Sequence, residues 1–327
     1  MPPVPAVPAP LGGPSVGYRH VAHVTSADAS AVAQVLPVLA AGLERGDPLV
    51  LACSDELAQL LRAGLPADAP VAVVSDEVLD GRTPTALAGY TALLDQHAPA
   101  SGHRLQLVTD STRHCAGMTA WLQTEALLNH VLADRALDHL CVVDEGSLGD
   151  DAALARATHR LLLRDNRVVD NPAWREPAEI LRELGDAGAD PAEETSPTLV
   201  FQDVTDMRAL RRGLNQALRG GPLPADDTED LVLAIDEVTA NAGEHGVPPV
   251  DVRLWVGPEQ VLCTVSDRGP GFEEPLAGYG PAHGTDLSVG GMGLWLARRA
   301  VDRMTTGPRS DDGGGCVVRL SIDPRTR

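Results

Sequence analysis

One stretch of the sequence, residues 231–246 (LVLAIDEVTANAGEHG), restricts the fold more than any other. Its apolar residues Leu231, Ile235 and Val238 recur at the spacing of one helix face, so we predict an α-helix. Gly246 follows as a stop signal. Residues that can cap the N-terminus precede the stretch: Asp226, Asp227 and Thr228. We therefore expect the second half of the chain to be organised around this helix.

The predicted helix carries three polar side chains four residues apart, Glu237, Asn241 and His245, and this spacing puts them on one face. A carboxylate, a carboxamide and an imidazole in one row suit a general base, an oxygen ligand for Mg²⁺ and a hydrogen-bonding partner. The alternative is a solvated helix face in an acidic protein. The helix by itself leaves both interpretations open.

Two glycine-rich segments follow this helix. Residues 267–272 (DRGPGF) end a predicted strand, where Asp267 could accept a hydrogen bond from an exocyclic amine and the glycines admit a ligand close to the backbone. Residues 290–294 (GGMGL) open a predicted helix, whose N-terminal N–H groups can bind phosphate without lysine. The glycines at 313–315 are more typical of a hairpin turn. The ordered set, within about 60 residues, is more specific than any of its parts.

Charge and composition exclude several functions. The 327 residues carry a formal net charge of −20, which repels duplex nucleic acid, so we expect no direct nucleic-acid partner. All 26 basic residues are arginine, which excludes a P-loop lysine and Schiff-base chemistry. Aromatic residues make up 3% of the chain, so leucine, valine and alanine must build the cores.

Cysteine usage and hydropathy indicate a cytoplasmic location. The chain has 5 cysteines and no CxxC pair, so neither a cysteine zinc site nor a disulfide framework is indicated, which fits a reducing compartment. The N-terminal residues 1–14 lack the basic and apolar regions of a signal peptide. No apolar run reaches the ~20 residues of a membrane helix, so we expect no membrane partner.

The first half of the chain alternates between short apolar strands and helices. Residues 1–17 are rich in proline and glycine and are predicted to be a disordered tail, and a first domain spans 18–175. The predicted strands are 20–25, 48–54, 71–75, 104–110, 140–145 and 167–171. The predicted helices are 28–45, 55–63, 83–96, 117–135 and 149–163. This pattern predicts an α/β domain with a mostly parallel sheet covered on both faces.

A link and a second domain complete the chain. Residues 176–197 begin as a possible helix and continue as an acidic segment that we predict to be a flexible joint. The second domain, 198–327, has predicted strands at 198–204, 250–257, 260–272 and 316–323 and helices at 205–219, 231–246 and 292–304. The pattern predicts an α+β domain with helices on one face of a mixed sheet.

Polar residues of the first domain lie where an open α/β sheet binds ligands, beyond the C-terminal ends of its strands. Asp110 and Asp144 end two predicted strands, while Glu125 and His159 lie on predicted helices. The alternative is that these residues cap helices or end strands.

The order of features in residues 18–175 resembles the MEDS domain, a sensory domain of methanogen and methylotroph regulators. The similar features are an early histidine (His20 or His23), the segment 40–55, the helix 121–129 and the strand LCVVDE at 140–145. The resemblance implies a RecA-like α/β fold and a sensing role, for a metal, a small molecule or a protein. The candidate sensory residues are His23, Asp110, Glu125, Asp144 and His159.

The ordered motifs of residues 198–323 resemble the Bergerat-type (GHKL) ATPase fold of gyrase, Hsp90, MutL and histidine kinases. The resemblance implies that Glu237 is the catalytic base, Asn241 the Mg²⁺ ligand and Asp267 the adenine-reading aspartate of an ATP site. It also implies that residues 273–289 form the ATP lid. The other implied ATP-binding residues are Gly269, Gly271, Gly291, Met292, Gly293 and Leu294.

Within that superfamily, AIDEVTANAGEHG is most similar to anti-sigma factor serine kinases of the RsbW and SpoIIAB kind. That similarity implies ATP and Mg²⁺ as cofactors, a sigma factor and a STAS-type anti-sigma antagonist as partners, and a homodimer as one possible state. Two alternatives remain. One is a non-catalytic module that sequesters a partner. The other is a histidine-kinase-like sensor acting on another chain, although residues 176–197 contain no histidine and are too short for a dimerisation hairpin.

Overall fold

The chain forms two compact units, Met1–Ile180 and Leu181–Arg327. The computed structural model describes residues 17–25, 28–79, 82–100, 102–111, 117–185, 189–271, 276, 278–279, 293–309 and 314–324. The predicted disordered tail therefore lies almost wholly outside the described residues, as do Gly291, Met292 and most of the predicted lid. Among the described residues, every helix is too short or too polar to cross a lipid bilayer.

The described strands of the first unit form one seven-stranded sheet. They are β1 (Tyr18–Thr25), β2 (Leu49–Leu51), β3 (Val71–Val73), β4 (Leu105–Asp110), β5 (Leu137–Asp144), β6 (Leu161–Arg164) and β7 (Arg167–Asp170). Their order across the sheet is β3-β2-β4-β5-β1-β6-β7. Every pairing is parallel except that of β6 with β7, which is antiparallel. The predicted α/β fold with a mostly parallel sheet is confirmed.

Helices cover this sheet, whose strands β4 and β5 are buried along almost their whole length. The helices of the unit are α1 (Asp28–Glu44), α2 (Asp55–Gly64), α3 (Thr83–Gln96), α4 (Met118–Val131), α5 (Glu145–Leu148), α6 (Ala152–Ala157) and α7 (Pro177–Gly185), which continues into the second unit. Strand residues 105–109 and 137–143 are all buried, as expected for strands covered on both faces. One core cluster joins Leu39 of α1 and Leu61 of α2 to Leu140 of β5.

The helix predicted at 149–163 is wrong. A 3₁₀ turn at Gly149–Asp151 and the short helix α6 occupy its first part, and β6 begins before its end. Three consecutive leucines are compatible with a helix or a strand by periodicity, but Leu161 and Leu162 pair with Val21 and Ala22 of β1. The Asn171 side chain donates hydrogen bonds to backbone carbonyls near the end of α6 (2.9 and 2.7 Å), which stabilises this break.

The second unit is a five-stranded sheet packed against helices. Its strands are β8 (Leu199–Phe201), β9 (Asp251–Val256), β10 (Val261–Asp267), β11 (Arg303–Pro308) and β12 (Cys316–Ile322), in the order β11-β12-β10-β9-β8. Its helices are α8 (Met207–Leu218), α9 (Ala225–His245) and α10 (Gly293–Ala300). The α+β class is confirmed, but the prediction of a mixed sheet is wrong because each pairing is antiparallel.

Two helix boundaries of this unit differ from those predicted. Helix α9 begins at Ala225, so the three residues proposed as caps lie in its first turn. Helix α10 ends at Ala300, and the following residues form β11, which the sequence analysis missed. Packing accounts for the second boundary, because Val301 and Met304, which follow α10, lie in the same core cluster as Ala297 and Leu320.

Residues 189–194, predicted as part of a flexible joint, instead contact the sheet of the second unit. Asp190 caps a 3₁₀ helix at Pro191–Glu194 through a capping box with Glu193. The Glu193 carboxylate also pairs with the guanidinium of Arg319 on β12, at 2.5 and 3.3 Å. Because Arg319 is buried, this ion pair anchors the segment, and the prediction of flexibility is wrong here.

Candidate functional site

The second unit contains a pocket of about 720 Å³ between α9, the end of β10 and the start of α10. Its walls include all seven described residues that were predicted for a nucleotide site: Glu237, Asn241, Asp267, Gly269, Gly271, Gly293 and Leu294. Apolar side chains complete the lining, among them Val238, Val265 and Val318. The pocket therefore combines an apolar body with a few convergent polar groups, as small-molecule sites do.

Asp267 is fixed at the end of β10 by two backbone N–H groups. Its Oδ1 atom accepts hydrogen bonds from the N–H of Gly269 at 2.6 Å and of Val247 at 3.1 Å. The Arg268 N–H in turn donates to the Val247 carbonyl at 2.8 Å, which ties the strand end to the residues after α9. With Oδ1 held in this way, Oδ2 is the atom that can accept a hydrogen bond from a ligand.

Glycine is required at the two backbone positions next to this carboxylate. A Cβ atom on Gly246 would lie 2.7 Å from the Asp267 Cγ atom, and one on Gly269 would lie 2.7 Å from its Oδ1 atom. Both distances are below any normal contact. Gly246 is therefore more than a helix stop, a role that the sequence analysis missed because it depends on how closely α9 approaches β10.

Glu237 and Asn241 meet Gly293 at the opposite side of the pocket. A Cβ atom on Gly293 would lie 2.6 Å from Glu237 Oε2 and 3.2 Å from Asn241 Nδ2. The first turn of α10 thus directs its backbone toward the carboxylate and the carboxamide of α9. His245, the third member of the predicted row, is exposed at the end of α9 and also borders the pocket.

The donor set fits a nucleotide with a bound Mg²⁺ ion. Asn241 Nδ2 is buried and has no hydrogen-bond partner among the described residues. Because amide nitrogen and oxygen are assigned from hydrogen bonds alone, either atom of this carboxamide can face the pocket. A carboxamide oxygen beside a carboxylate is the oxygen-rich environment that Mg²⁺ prefers.

Helix α10 also contacts two described residues of the predicted lid, Gly278 and Tyr279. The Arg298 side chain donates to the Tyr279 hydroxyl at 2.9 Å, and its guanidinium lies 4.0 Å from the centre of the Tyr279 ring. Leu294 contacts Gly278, whose φ of +78° suits glycine. Sequence reasoning missed the Arg298–Tyr279 pair because a single arginine and tyrosine 19 residues apart give no pattern.

The first unit places a different polar group in its core. His20 of β1, Glu125 of α4 and His159, which follows α6, converge with side chains at most 2% exposed. The Nε2 atoms of His20 and of His159 each lie 3.3 Å from Glu125 Oε2. Burial, as the largest cause, lowers the pKa of His20 to about 4. Burial also acts to raise the pKa of Glu125, but its contacts with His159 and His20 hold this pKa well below its usual range.

His139 of β5 and Tyr18 of β1 lie next to this cluster. His139 of β5 stacks on His20 at 4.9 Å between ring centres. Its Nδ1 atom is 2.8 Å from the Tyr18 hydroxyl, and its Nε2 atom is 2.7 Å from Thr109 Oγ1. Burial holds the pKa of His139 well below its ordinary value. No sequence signal pointed to His139 or Tyr18, since both lie in strands whose patterns are typical of a buried core.

The remaining candidate sensory residues do not join this cluster. His23 lies apart, with Nδ1 3.3 Å from the Leu163 carbonyl, so His20 and not His23 is the early histidine beside Glu125 and His159. Asp110 accepts hydrogen bonds from the N–H and hydroxyl of Ser54, just before α2. Asp144 caps α5 by accepting from the Gly146 N–H at 2.9 Å. Asp110 also borders a small cavity that reaches Glu125.

Comparisons with known families agree with the two units. Residues 201–322 match the model of the histidine kinase-like ATPase domain (HATPase_c_2). Residues 19–160 match that of the MEDS domain (methanogen/methylotroph, DcmR sensory domain). The chain therefore has a histidine kinase-like ATPase domain C-terminal to a MEDS domain, as the sequence resemblance predicted. The match to an ATPase domain implies that the second unit binds ATP.

Whole-protein similarity is low. No curated protein matches the chain. Among solved structures, "The crystal structure of the RsbU and RsbW domains of Rv1364c from Mycobacterium tuberculosis" is 23% identical to it, with a TM-score of 0.27. The match covers 39% of this chain and 32% of that chain. These values are too low for an activity to be transferred.

Proposed function

We propose that this chain is a cytoplasmic, ATP-dependent regulator of transcription that acts by partner switching. In this proposal the second unit binds a sigma factor and phosphorylates a serine of a STAS-type anti-sigma antagonist, and the MEDS domain controls it. The observation that carries the proposal is the convergence of Glu237, Asn241, Asp267 and Gly293 around one pocket. The partner class rests on the resemblance of the α9 sequence to anti-sigma factor kinases.

The pocket supplies a base close to where the phosphates would lie. Glu237 lies beside Gly293, the first residue of α10, and helix N-termini bind phosphate through their N–H groups and dipole. With adenine at Asp267, the γ-phosphate would lie toward Glu237 and Gly293. The partner's serine oxygen would then attack the γ-phosphorus, the bond to the β–γ bridging oxygen would break, and ADP would leave. Glu237 would take the serine proton.

Asn241 is the residue that would hold Mg²⁺, through its carboxamide oxygen, with Glu237 nearby. The ion would neutralise phosphate charge, which matters in a chain with no lysine. Arg268 is exposed, and it contributes a backbone N–H to the loop around Asp267 rather than a guanidinium to the pocket wall. We therefore assign the protein's own electrostatic contribution to the N-terminus of α10.

The test is phosphate transfer followed by mass spectrometry. The full chain is mixed with Mg-ATP and the antagonist candidate encoded nearest to it, and compared with Glu237→Gln, which keeps the side-chain volume but removes the base. Glu229→Gln is the matched control, because Glu229 is exposed on the same helix. We expect phosphoserine on the antagonist with the wild type and E229Q, and a loss of at least about 100-fold with E237Q while ATP binding persists.

Each alternative has its own outcome. Transfer by E237Q at the wild-type rate would show that Glu237 is not the base. A stable complex without any phosphate transfer would favour a module that sequesters its partner. Phosphohistidine on this chain or on a partner would favour a histidine-kinase-like sensor.

A further inference from the structure

The three polar side chains in the core of the first unit have unpaired atoms at their meeting point. His20 Nε2, His159 Nε2 and Glu125 Oε2 are all buried, and none of them has a hydrogen-bond partner among the described residues. Burying a polar atom without a partner destabilises the fold, and more so if the atom is charged. Three such atoms at one point require a compensating group between them.

The position of the ring proton on His159 is further evidence for a compensating group between these atoms. Its Nδ1 atom lies 2.9 Å from the Ala155 carbonyl, which can only accept, and 3.0 Å from the Thr158 hydroxyl, which itself donates to the Ala155 carbonyl at 2.8 Å. We therefore assign the proton of the neutral ring to Nδ1. In the neutral ring, the Nε2 lone pair then points toward the Glu125 carboxylate at 3.3 Å. Two electron-rich atoms at this distance repel each other unless a proton or a cation lies between them.

The distances fit a metal ion. With metal–ligand bonds of about 2.0–2.1 Å, two ligands of a tetrahedral ion lie about 3.3 Å apart. The distances from Glu125 Oε2 to His20 Nε2 and to His159 Nε2 are both 3.3 Å. All three ligand atoms lie within 4.8 Å of one another. A direct charge-assisted hydrogen bond would be shorter, at about 2.7–2.9 Å.

His139, in the same core, differs from His20 and His159 because both of its ring nitrogens have partners. Its two ring nitrogens both have hydroxyl partners, Tyr18 at 2.8 Å and Thr109 at 2.7 Å. It stacks on His20 and so helps to fix the orientation of that ring. Of the histidines in this part of the core, it is His20 and His159 that direct an unpaired Nε2 atom at Glu125.

We propose that His20, Glu125 and His159 bind one divalent transition-metal ion of the zinc class. Two imidazoles and one carboxylate favour such an ion over Mg²⁺ or Ca²⁺, which prefer oxygen ligands. Backbone contacts orient the ligands, as in other metal centres: the Ala155 carbonyl holds His159 Nδ1, and Asn129 donates to the Thr158 carbonyl at 2.8 Å.

Three protein ligands leave a coordination position for a small exchangeable ligand. A small cavity that can hold a water molecule reaches Glu125 from the ends of β2 and β4. Tyr90, Thr109 and Asp110 lie in its wall. The proposed metal would thus give the first unit a chemical basis for detecting a small ligand. This inference does not depend on phosphotransfer by the second unit.

The test is a titration of the full-length chain with Co²⁺, a spectroscopic substitute for Zn²⁺, after removal of metals with a chelator and of any polyhistidine tag. We expect one Co²⁺ per chain, with the visible absorption of four- or five-coordinate cobalt, and displacement by Zn²⁺. Glu125→Gln and His159→Gln should each weaken Co²⁺ binding at least about 100-fold. His23→Gln, on the same strand as His20, and His130→Gln, exposed on α4 with Glu125, should bind Co²⁺ like the wild type.

A wild-type chain that binds no Co²⁺ in this assay would overturn the proposal and leave a protonated His–Glu–His network in its place. Binding that survives in both E125Q and H159Q would also overturn it. Circular dichroism establishes that each variant is folded. If a ligand variant does not fold, the stoichiometry and spectrum of the wild type decide the question, and neither result depends on whether the second unit is a kinase.

Discussion

The carboxylate of Asp267 offers the most direct test of the nucleotide pocket. Its Oδ1 atom accepts from the N–H groups of Gly269 and Val247, at 2.6 and 3.1 Å. In Asp267→Asn the side-chain carbonyl can keep both hydrogen bonds, so the loop should stay in place. The substitution then changes one atom, Oδ2, from an acceptor into an NH₂ donor.

The size of the expected effect follows from that single exchange. A hydrogen bond from the adenine amine to a carboxylate contributes about 1.5–3 kcal/mol, and each 1.4 kcal/mol is a factor of about ten in affinity. We therefore expect the Kd for ATP to rise roughly 10- to 100-fold. Guanine presents a carbonyl oxygen where adenine presents an amine, so the new donor should not weaken the binding of GTP.

The assay is isothermal titration calorimetry of the wild type, D267N and the control Asp226→Asn with ATP and with GTP. Asp226 is exposed in the first turn of α9, so D226N removes the same charge away from the pocket wall. The ATP-to-GTP preference should fall in D267N and persist in D226N. An unchanged ATP affinity in a folded D267N protein would refute the assignment of Asp267 to adenine.

Two other substitutions test contacts that the structure defines. Gly293→Ala places a Cβ atom 2.6 Å from Glu237 Oε2, and restoring an ordinary contact of 3.4 Å moves the carboxylate by about 0.8 Å. Since a misplacement of this size costs up to about 100-fold in rate, ATP turnover should fall 10- to 100-fold at nearly constant Tm, and an unchanged turnover would contradict this placement. Glu193→Gln leaves the buried Arg319 guanidinium without its anionic partner, so denaturant unfolding should show a loss of about 3 kcal/mol. The exposed Glu194→Gln is its control, and equal stabilities of the two variants would mean that Arg319 does not depend on Glu193.

The residues predicted for a nucleotide site line one pocket, and the sequence could group them because its parts are local patterns. Glu237 and Asn241 share a face through helix geometry alone. Asp267 and its glycines form one loop, in which Oδ1 accepts from an N–H group only two residues away. The pattern did not reveal that Gly246 must lie against Asp267, since that contact joins the end of α9 to the end of β10.

The histidine cluster was harder to predict because its members are far apart in the chain and lie in a fully covered sheet. His20 and His23 are three residues apart, so they point to opposite faces of β1. Parallel strands that are buried on both faces do not alternate between apolar and polar residues. The sequence of β1 therefore does not show which of its faces packs against α4. The sequence analysis placed His23 in the candidate sensory set, and the tertiary structure brings His20 to Glu125.

The sequence by itself thus determined the fold class of both units and the face of α9 that lines the pocket. These depend on residues close in the chain, whose spacing is fixed by backbone geometry. The assignment of Asp267 to adenine stays a prediction. The tertiary structure decided the antiparallel order of the second sheet, the strand at Leu161–Arg164, the anchoring of Glu193 on Arg319 and the meeting of His20, Glu125 and His159. Each of these depends on which segments pack together, and packing is a property of the whole chain that no local pattern contains.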